Sequence, residues 1–328
     1  MEPSALHVND AVSLARHRTH VDAAPRPEPD GADGKVLVAF QTHVFGRQVK
    51  RVFQAISRAL PGHFEAIVLV HLPPGAPKPP LLATVPHLVV RTPEIRIAEY
   101  ARKSGLNQPG WAIWAGGHTD LPMLCLTRAK PGYAYYWGIE YDVRYTGSWR
   151  NFFGRYDDSD ADFVGAVIRD ASKHPKWAWW DTLAVPEGVP PPAGSELLCS
   201  FMPVYRVSAR LVHAVDQAYR AGWSGHSEVI WPTLARRLGM PIIDLGGHGA
   251  HVRPQDRGQV YKCNANAWGL GPGTYVYKPV KHVCWQRDML WHPVKPIGPT
   301  LQEDYARLRG KLRTVARKGA RALVALVS

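Results

Sequence analysis

Apolar and polar positions along the chain follow two rhythms. Lys35 to Gln41 (Lys-Val-Leu-Val-Ala-Phe-Gln) is a short apolar block of the kind that forms a buried strand. From Val49 to Leu60 the apolar residues Val49, Val52, Phe53, Ile56 and Leu60 recur every three or four positions, the period of a helix with one buried face. A second apolar block runs from Ala66 to Leu72. A weaker one, Leu88 to Arg91, follows a Pro- and Gly-rich loop between 73 and 80. Strand, helix and strand in succession predict a parallel pair joined by a right-handed crossover.

The alternation continues. Asp120 to Thr127 reads as a helix with Asp120 as its cap and Leu121, Leu124 and Cys125 inward. Strand-type runs follow at Tyr135 to Ile139, Phe163 to Ile168 and Leu198 to Val204, and Ser208 is placed to cap a helix through Leu211, Val215 and Tyr219. Gly225-His226-Ser227-Glu228 leads into a helical pattern carrying Ile230, Leu234 and Leu238, with Pro232 marking where the helix proper starts. Ile242 to Leu245 is a late strand. The pattern predicts an α/β fold: a mixed, mostly parallel sheet flanked by helices, in a single domain over 35–300. Residues 1–34, aperiodic and rich in Pro, Asp, Ala, His and Arg, read as a disordered leader. In 301–328 an apolar stripe through Leu301, Tyr305, Leu308, Leu312 and Val315 is ringed by Arg and Lys, which predicts a basic amphipathic C-terminal helix.

Composition narrows the partners. The 328 residues carry a formal charge of +13, which favours anionic partners: nucleotide diphosphates, an acidic membrane surface or nucleic acid. With no RNP, helix-turn-helix or zinc-finger pattern, nucleic acid is set aside. The four cysteines lack a C-x-x-C pair and suit reduced thiols, with a Cys263–Cys284 bridge as the alternative. No signal-peptide core and no apolar run of about 18 residues is present, so a cytoplasmic protein, peripheral on the membrane at most, is expected.

The densest chemistry lies in Tyr133 to Phe153. At the end of its strand stand Glu140 and Asp142, one residue apart and therefore on one face of an extended chain. With the Thr146-Gly147 turn after them, they form an oxygen-ligand pair for Mg²⁺ or Mn²⁺, or else pair with Arg144 or Arg150 at the surface. Gln41, Thr42 and His43 follow the opening strand at the carboxyl edge, where nucleotides bind in such sheets, or merely start the helix. Trp177, Trp179 and Trp180 offer flat faces to a sugar, or core packing. His226 and Glu228 place an imidazole and a carboxylate in one turn, either of them a base, although an acid there also complements the helix dipole. Late in the chain, the Gly-rich loop with His248, and the segments holding Lys281, His282, His292 and Lys295, supply further ligands and cations.

The stretch Trp137-Gly-Ile-Glu140-Tyr-Asp142-Val-Arg144-Tyr-Thr146-Gly147 resembles the Trp-x-x-Glu-Tyr-Asp-Val-Arg-x-Thr-Gly signature of a family of poorly characterised bacterial and fungal proteins. Those proteins look like nucleotide-sugar-dependent glycosyltransferases of GT-A type, a Rossmann-like fold. The resemblance implies that Glu140 and Asp142 are the acid-x-acid metal motif, with Glu140 standing where many relatives have Asp. It implies that Gly-His-Ser-Glu is the element bearing the acceptor-activating acid, Glu228, with His226 as an acceptor or phosphate contact. It also implies that a late histidine completes the metal shell, His292 of Trp-His-Pro-Val-Lys first and His248 second. The activity so implied moves a sugar from a nucleotide diphosphate donor to a glycan or lipid-linked acceptor, with Mn²⁺ or Mg²⁺ as cofactor and Lys281 or Lys295 on the diphosphate. A glycoside hydrolase and a non-catalytic carbohydrate- or nucleotide-binding module are the alternatives.

Overall fold

The computed structural model describes residues 34–95, 97–104, 118–266 and 269–296. All but the last residue of the leader expected over 1–34, and the helix expected over 301–328, lie outside the described residues. Val36–Thr42 (β1), Arg47–Arg58 (α1) and Phe64–Leu72 (β2) form the expected β-α-β unit, and His87–Arg91 (β3) extends it. Two single turns, Thr92–Ile95 (α2) and Ala101–Ser104 (α3), lead towards Asp120–Ala129 (α4). Tyr135–Glu140 (β4), Arg144–Tyr145 (β5), Trp149–Gly154 (α5) and Phe163–Asp170 (β6) follow. Leu198–Ser208 (β7), Ala209–Arg220 (α6), Ser227–Arg237 (α7), Ile242–Asp244 (β8) and Leu290–Trp291 (β9) complete the described elements.

One seven-stranded sheet has the order β3-β2-β1-β4-β7-β6-β8. All its pairings are parallel except those of β7, which runs against both β4 and β6. The sheet is therefore mixed and mostly parallel, and its common carboxyl edge gathers Thr42, Glu140 and Asp170. Alternation along β1 divides the core: Val36, Val38 and Phe40 face a layer containing Phe53, Ile56, Phe152 and Phe153 from α1 and α5. Leu37 and Ala39 face the opposite layer, containing Leu124, Leu211 and Trp231 from α4, α6 and α7. Burying each such large apolar side chain contributes about 1.5–3 kcal/mol, which is why strands covered on both faces read as continuous apolar runs. In the middle of β4, Gly138 leaves room for the Tyr205 ring; a Cβ there would lie 2.4 Å from it.

Two local expectations are corrected, and the expected reduced state of the cysteines is kept. Asp120 begins α4 yet caps nothing: the N-cap is Thr119, and the Asp120 carboxylate is 1% exposed and paired with Lys103. The helix after Gly225 starts at Ser227 and carries Pro232 inside it, because a His226 cap and a buried apolar face outweigh one missing N–H. All four cysteines are free thiols.

Candidate active site

β4 ends on Glu140, and Asp142 follows where the chain turns into β5. The β5–β9 ladder, with Arg144 opposite Trp291, lays the C-terminal segment across that turn. Thr146 Oγ1 fastens it by accepting from Met289 N at 3.1 Å, and Val294 N donates to the Asp142 carbonyl at 2.7 Å. His292 is thereby set beside both acids, its Nε2 3.4 Å from Glu140 Oε2 and 3.6 Å from Asp142 Oδ1. Its Nδ1 lies 3.0 Å from the Val276 carbonyl oxygen, which only accepts, so Nδ1 carries the proton and donates. Nε2 is left facing the carboxylates, the arrangement by which metal-binding imidazoles are usually oriented. Burial works against charge on this imidazole, but Asp142, Glu140 and the Val276 carbonyl outweigh it and raise its pKa above the ordinary value.

Glu140, Asp142 and His292 offer ligand atoms within 4.8 Å of one another, the group of that kind found among the described residues. The fit to a cation rests on one atom in particular. Asp142 Oδ1 is buried and accepts no hydrogen bond, a costly condition for a carboxylate oxygen that a metal ion would relieve. These three residues could hold a divalent ion. Neither acid pairs with Arg144, whose guanidinium donates to the Tyr141 and Val143 carbonyls.

The other expected residues divide. Lys295 Nζ stands 3.9 Å from Asp142 Oδ2, at the site. Lys281 pairs with Lys295 through the backbone, but its ammonium donates to the Pro279 carbonyl at 3.0 Å. His248 lies exposed on the turn after β8, near Gly258, and does not join the acid cluster. On the neighbouring strand Gln41 is in register with Glu140 and donates to the Tyr205 hydroxyl at 3.0 Å. Thr42 Oγ1 accepts from Val44 N at 3.1 Å, and the His43 ring meets Tyr141 edge-on at 5.1 Å.

Across the site, the tryptophan segment and the turn before α7 are one assembly. Ala184 and Ser224 exchange backbone hydrogen bonds at 2.9 Å, and His226 N donates to Thr182 Oγ1 at 3.0 Å. Gly225, at φ +140°, lies so close that a Cβ would sit 2.7 Å from the Thr182 carbonyl oxygen. His226 Nδ1 accepts from Glu228 N at 3.2 Å and so caps α7 itself. Burial, with the charge of Lys103 adding to it, holds that imidazole neutral, its pKa down at about 3. Trp179 stacks on His226 with centroids 5.2 Å apart and is 39% exposed. Trp177 packs edge-on against Trp180 at 4.9 Å. Of the two roles open to it, Trp180 takes packing: it is buried with Cys199 and Val229, and its indole donates to the His174 carbonyl.

Glu228 faces inward from the first turn of α7, where its Oε1 accepts from Met202 N at 3.1 Å. Burial pushes its pKa up to about 8; the Met202 N–H opposes this, Glu140 adds to it and His292 opposes it. Glu228, Trp177, Phe201, Arg169 and Tyr277 line one cleft. The Phe201 ring lies 5.2 Å from that of His292, so the cleft adjoins the acid cluster.

Lys103, His118 and Arg169 carried no signal in the sequence. Lys103 is fully enclosed and donates to the Gly225 carbonyl at 2.7 Å, holding the turn that carries His226 and Glu228. Nearby, His118 is buried with neither ring nitrogen hydrogen-bonded among the described residues, and burial with the Lys103 charge drives its pKa down to about 4.

No family model and no curated protein sequence matches the chain. Among solved structures, the inositol-1-phosphate CTP transferase from T. maritima and mouse xyloside xylosyltransferase 1 in its apo form are similar at a distance. Each aligns over 66% of this chain and 87% of its own length, at 13% identity and a TM-score of 0.31. At that TM-score the likeness lends nothing to function, which rests on the site itself.

Proposed function

We propose that this chain is a metal-dependent glycosyltransferase of GT-A type that moves a sugar from a nucleotide diphosphate donor to a hydroxyl acceptor. The observation that carries the reading is the convergence of Glu140, Asp142 and His292, with the unsatisfied Asp142 Oδ1 and the oriented His292 Nε2 at its centre. A donor set of two carboxylates and one imidazole suits Mn²⁺, and Mg²⁺ less well. When bound there, the ion supplies positive charge against the diphosphate that leaves the sugar. Lys295 adds a second positive charge at the same edge, and Gln41, Thr42 and His43 line the adjoining strand end.

Glu228 takes the proton of the attacking acceptor hydroxyl. Burial favours its protonated form, which makes the ionised carboxylate a strong base. Neutralising Glu140 removes one of the forces that raise its pKa, so a loaded acid cluster brings Glu228 closer to working pH. Trp177 lines the cleft with this base, Trp179 lies on the neighbouring His226, and both present aromatic surface to a sugar ring. A hydrolase needs carboxyl groups on two sides of one bond, whereas Glu140 and Asp142 converge on one imidazole.

The test is thermal unfolding with a panel of nucleoside diphosphates, with and without Mn²⁺. Wild type should be stabilised only by the pair together, and Asp142→Asn should lose that gain while melting normally alone. Equal Mn²⁺-dependent stabilisation of wild type and variant removes Asp142 from the site.

A further inference from the structure

Arg169 sits near the end of β6, opposite Cys199 on β7, and its guanidinium enters the cleft that holds Glu228. Its contact there is the Cys263 thiol, with Nη2 to Sγ at 3.9 Å, and thiols accept weakly. Several other arginines of the fold have oxygen partners. Arg128 meets Asp216, Arg210 meets Asp162, Arg155 and Arg253 meet Asp256, and Arg206 donates to the carbonyls of Tyr156, Ser159 and Ala161. Among the described residues no carboxylate lies within ion-pairing distance of Arg169. Lys281 lies within electrostatic reach of Cys263, so a second cation is near the same thiol.

A half-buried guanidinium facing a cleft, with a thiol for company, lacks the planar anionic partner its fork of donors matches. In the glycosyltransferase reading the donor diphosphate has its own place at the acid cluster and Lys295, none of which lines this cleft. A neutral sugar would leave the charge uncompensated, whereas Trp177 and Tyr277 supply aromatic walls for a ring that carries the anion. An anion beside the base would be repelled by an ionised Glu228 alone, and Arg169 offsets that repulsion.

We infer that the acceptor is an acidic glycoside whose carboxylate or phosphate is held by Arg169 while Glu228 faces its hydroxyl. The inference rests on the glycosyltransferase reading and specifies its acceptor.

Binding of paired probes by calorimetry tests it on the full chain with Mn²⁺ and nucleoside diphosphate present. The probes are methyl glucuronide, methyl galacturonide and methyl glucoside 6-phosphate, each against its neutral parent; the uronides and the phosphate separate the two sources of anion. At least one anionic probe should bind roughly 10–100-fold more tightly than its parent, the range of a hydrogen-bonded charge. Arg169→Gln should erase that difference, Arg169→Lys should keep part of it, and both should retain Mn²⁺-dependent nucleotide binding. The inference is overturned if parents bind as well as acids, if no acidic probe binds at millimolar concentration, or if Arg169→Gln leaves the preference intact. It is also overturned if that variant loses nucleotide binding, which would move Arg169 to the donor side. Absence of Mn²⁺-dependent nucleotide binding in wild type would instead strike the glycosyltransferase reading, and the probe comparison would still be legible.

Discussion

Lys103 Nζ stands 3.3 Å from Asp120 Oδ1 with both side chains enclosed, and the pair joins the start of α4 to the turn before α7. Asp120 also accepts from Trp231 Nε1 at 2.9 Å and from the Tyr219 hydroxyl, so one carboxylate ties α4, α6 and α7 together. Burial alone would raise the Asp120 pKa, but Lys103 and these donors hold it below the ordinary range. Lys103 is pushed down by its own burial, with Asp120 opposing.

Asp120→Ala should therefore destabilise the protein by about 3–5 kcal/mol, since it leaves an ammonium buried without its counter-ion. Lys103→Met combined with Asp120→Leu should recover much of the loss. Urea unfolding of the single and double variants measures both, and a double variant no more stable than Asp120→Ala contradicts the account.

Glu228 links function to pH. Its pKa is raised in the fold, so between the ordinary carboxylate range and about 8 the unfolded chain ionises while the folded one holds its proton. Folding then loses stability progressively as pH climbs through that window, and no such cost exists below it. Glu228→Gln keeps an acceptor for Met202 N and removes the titration. It should melt higher than wild type at pH 8 by roughly 1–3 kcal/mol, match it at pH 4, and lose about 10² or more in turnover. A variant that is both active and no more stable would mean that Glu228 serves only α7.

The two adjacent tryptophans should behave oppositely. Trp180→Ala removes a buried ring and should cost about 3–5 kcal/mol. Trp179→Ala should barely move the melting curve and should weaken acceptor binding, as read by KM against kcat.

Gly138→Ala should cost about 1–3 kcal/mol, because the new methyl meets the Tyr205 ring in the centre of the sheet. Pairing it with Tyr205→Leu should return part of the loss. Additive losses in a double-mutant cycle would show that the two positions do not press on one another.

The tail of 301–328 lies outside the described residues, and its test is independent of the site. Full-length protein should sediment with anionic vesicles at low salt and not with neutral ones, while a chain ending at Thr300 should stay in the supernatant. No helix among the described residues is long and apolar enough to cross a membrane. Equal behaviour of both proteins would assign the apolar stripe to packing.

What the sequence determined was whatever a local period or a single turn encodes. The runs at Val36, Phe64, Tyr135 and Phe163 became strands because both faces are covered, and Ser208 caps α6 by accepting from Leu211 N as its residue type foretold. Glu140 and Asp142 were legible as a pair because two residues of extended chain share a face. Everything that depends on who arrives from afar was decided by tertiary structure. Thr146 and Met289 are 143 positions apart, and only their ladder carries His292, and not His248, to the acids. Asp120 looked like a cap and became a buried counter-ion, while His226, singled out for its imidazole, also caps α7. Trp179 and Trp180 are neighbours in sequence, yet one is open and the other enclosed. Arg169 gave no sign at all, because an arginine lacking a carboxylate partner is recognisable only once the surroundings of its guanidinium are known. Periodicity fixes which face a residue shows, whereas partners and burial follow from long-range packing, which no local pattern records.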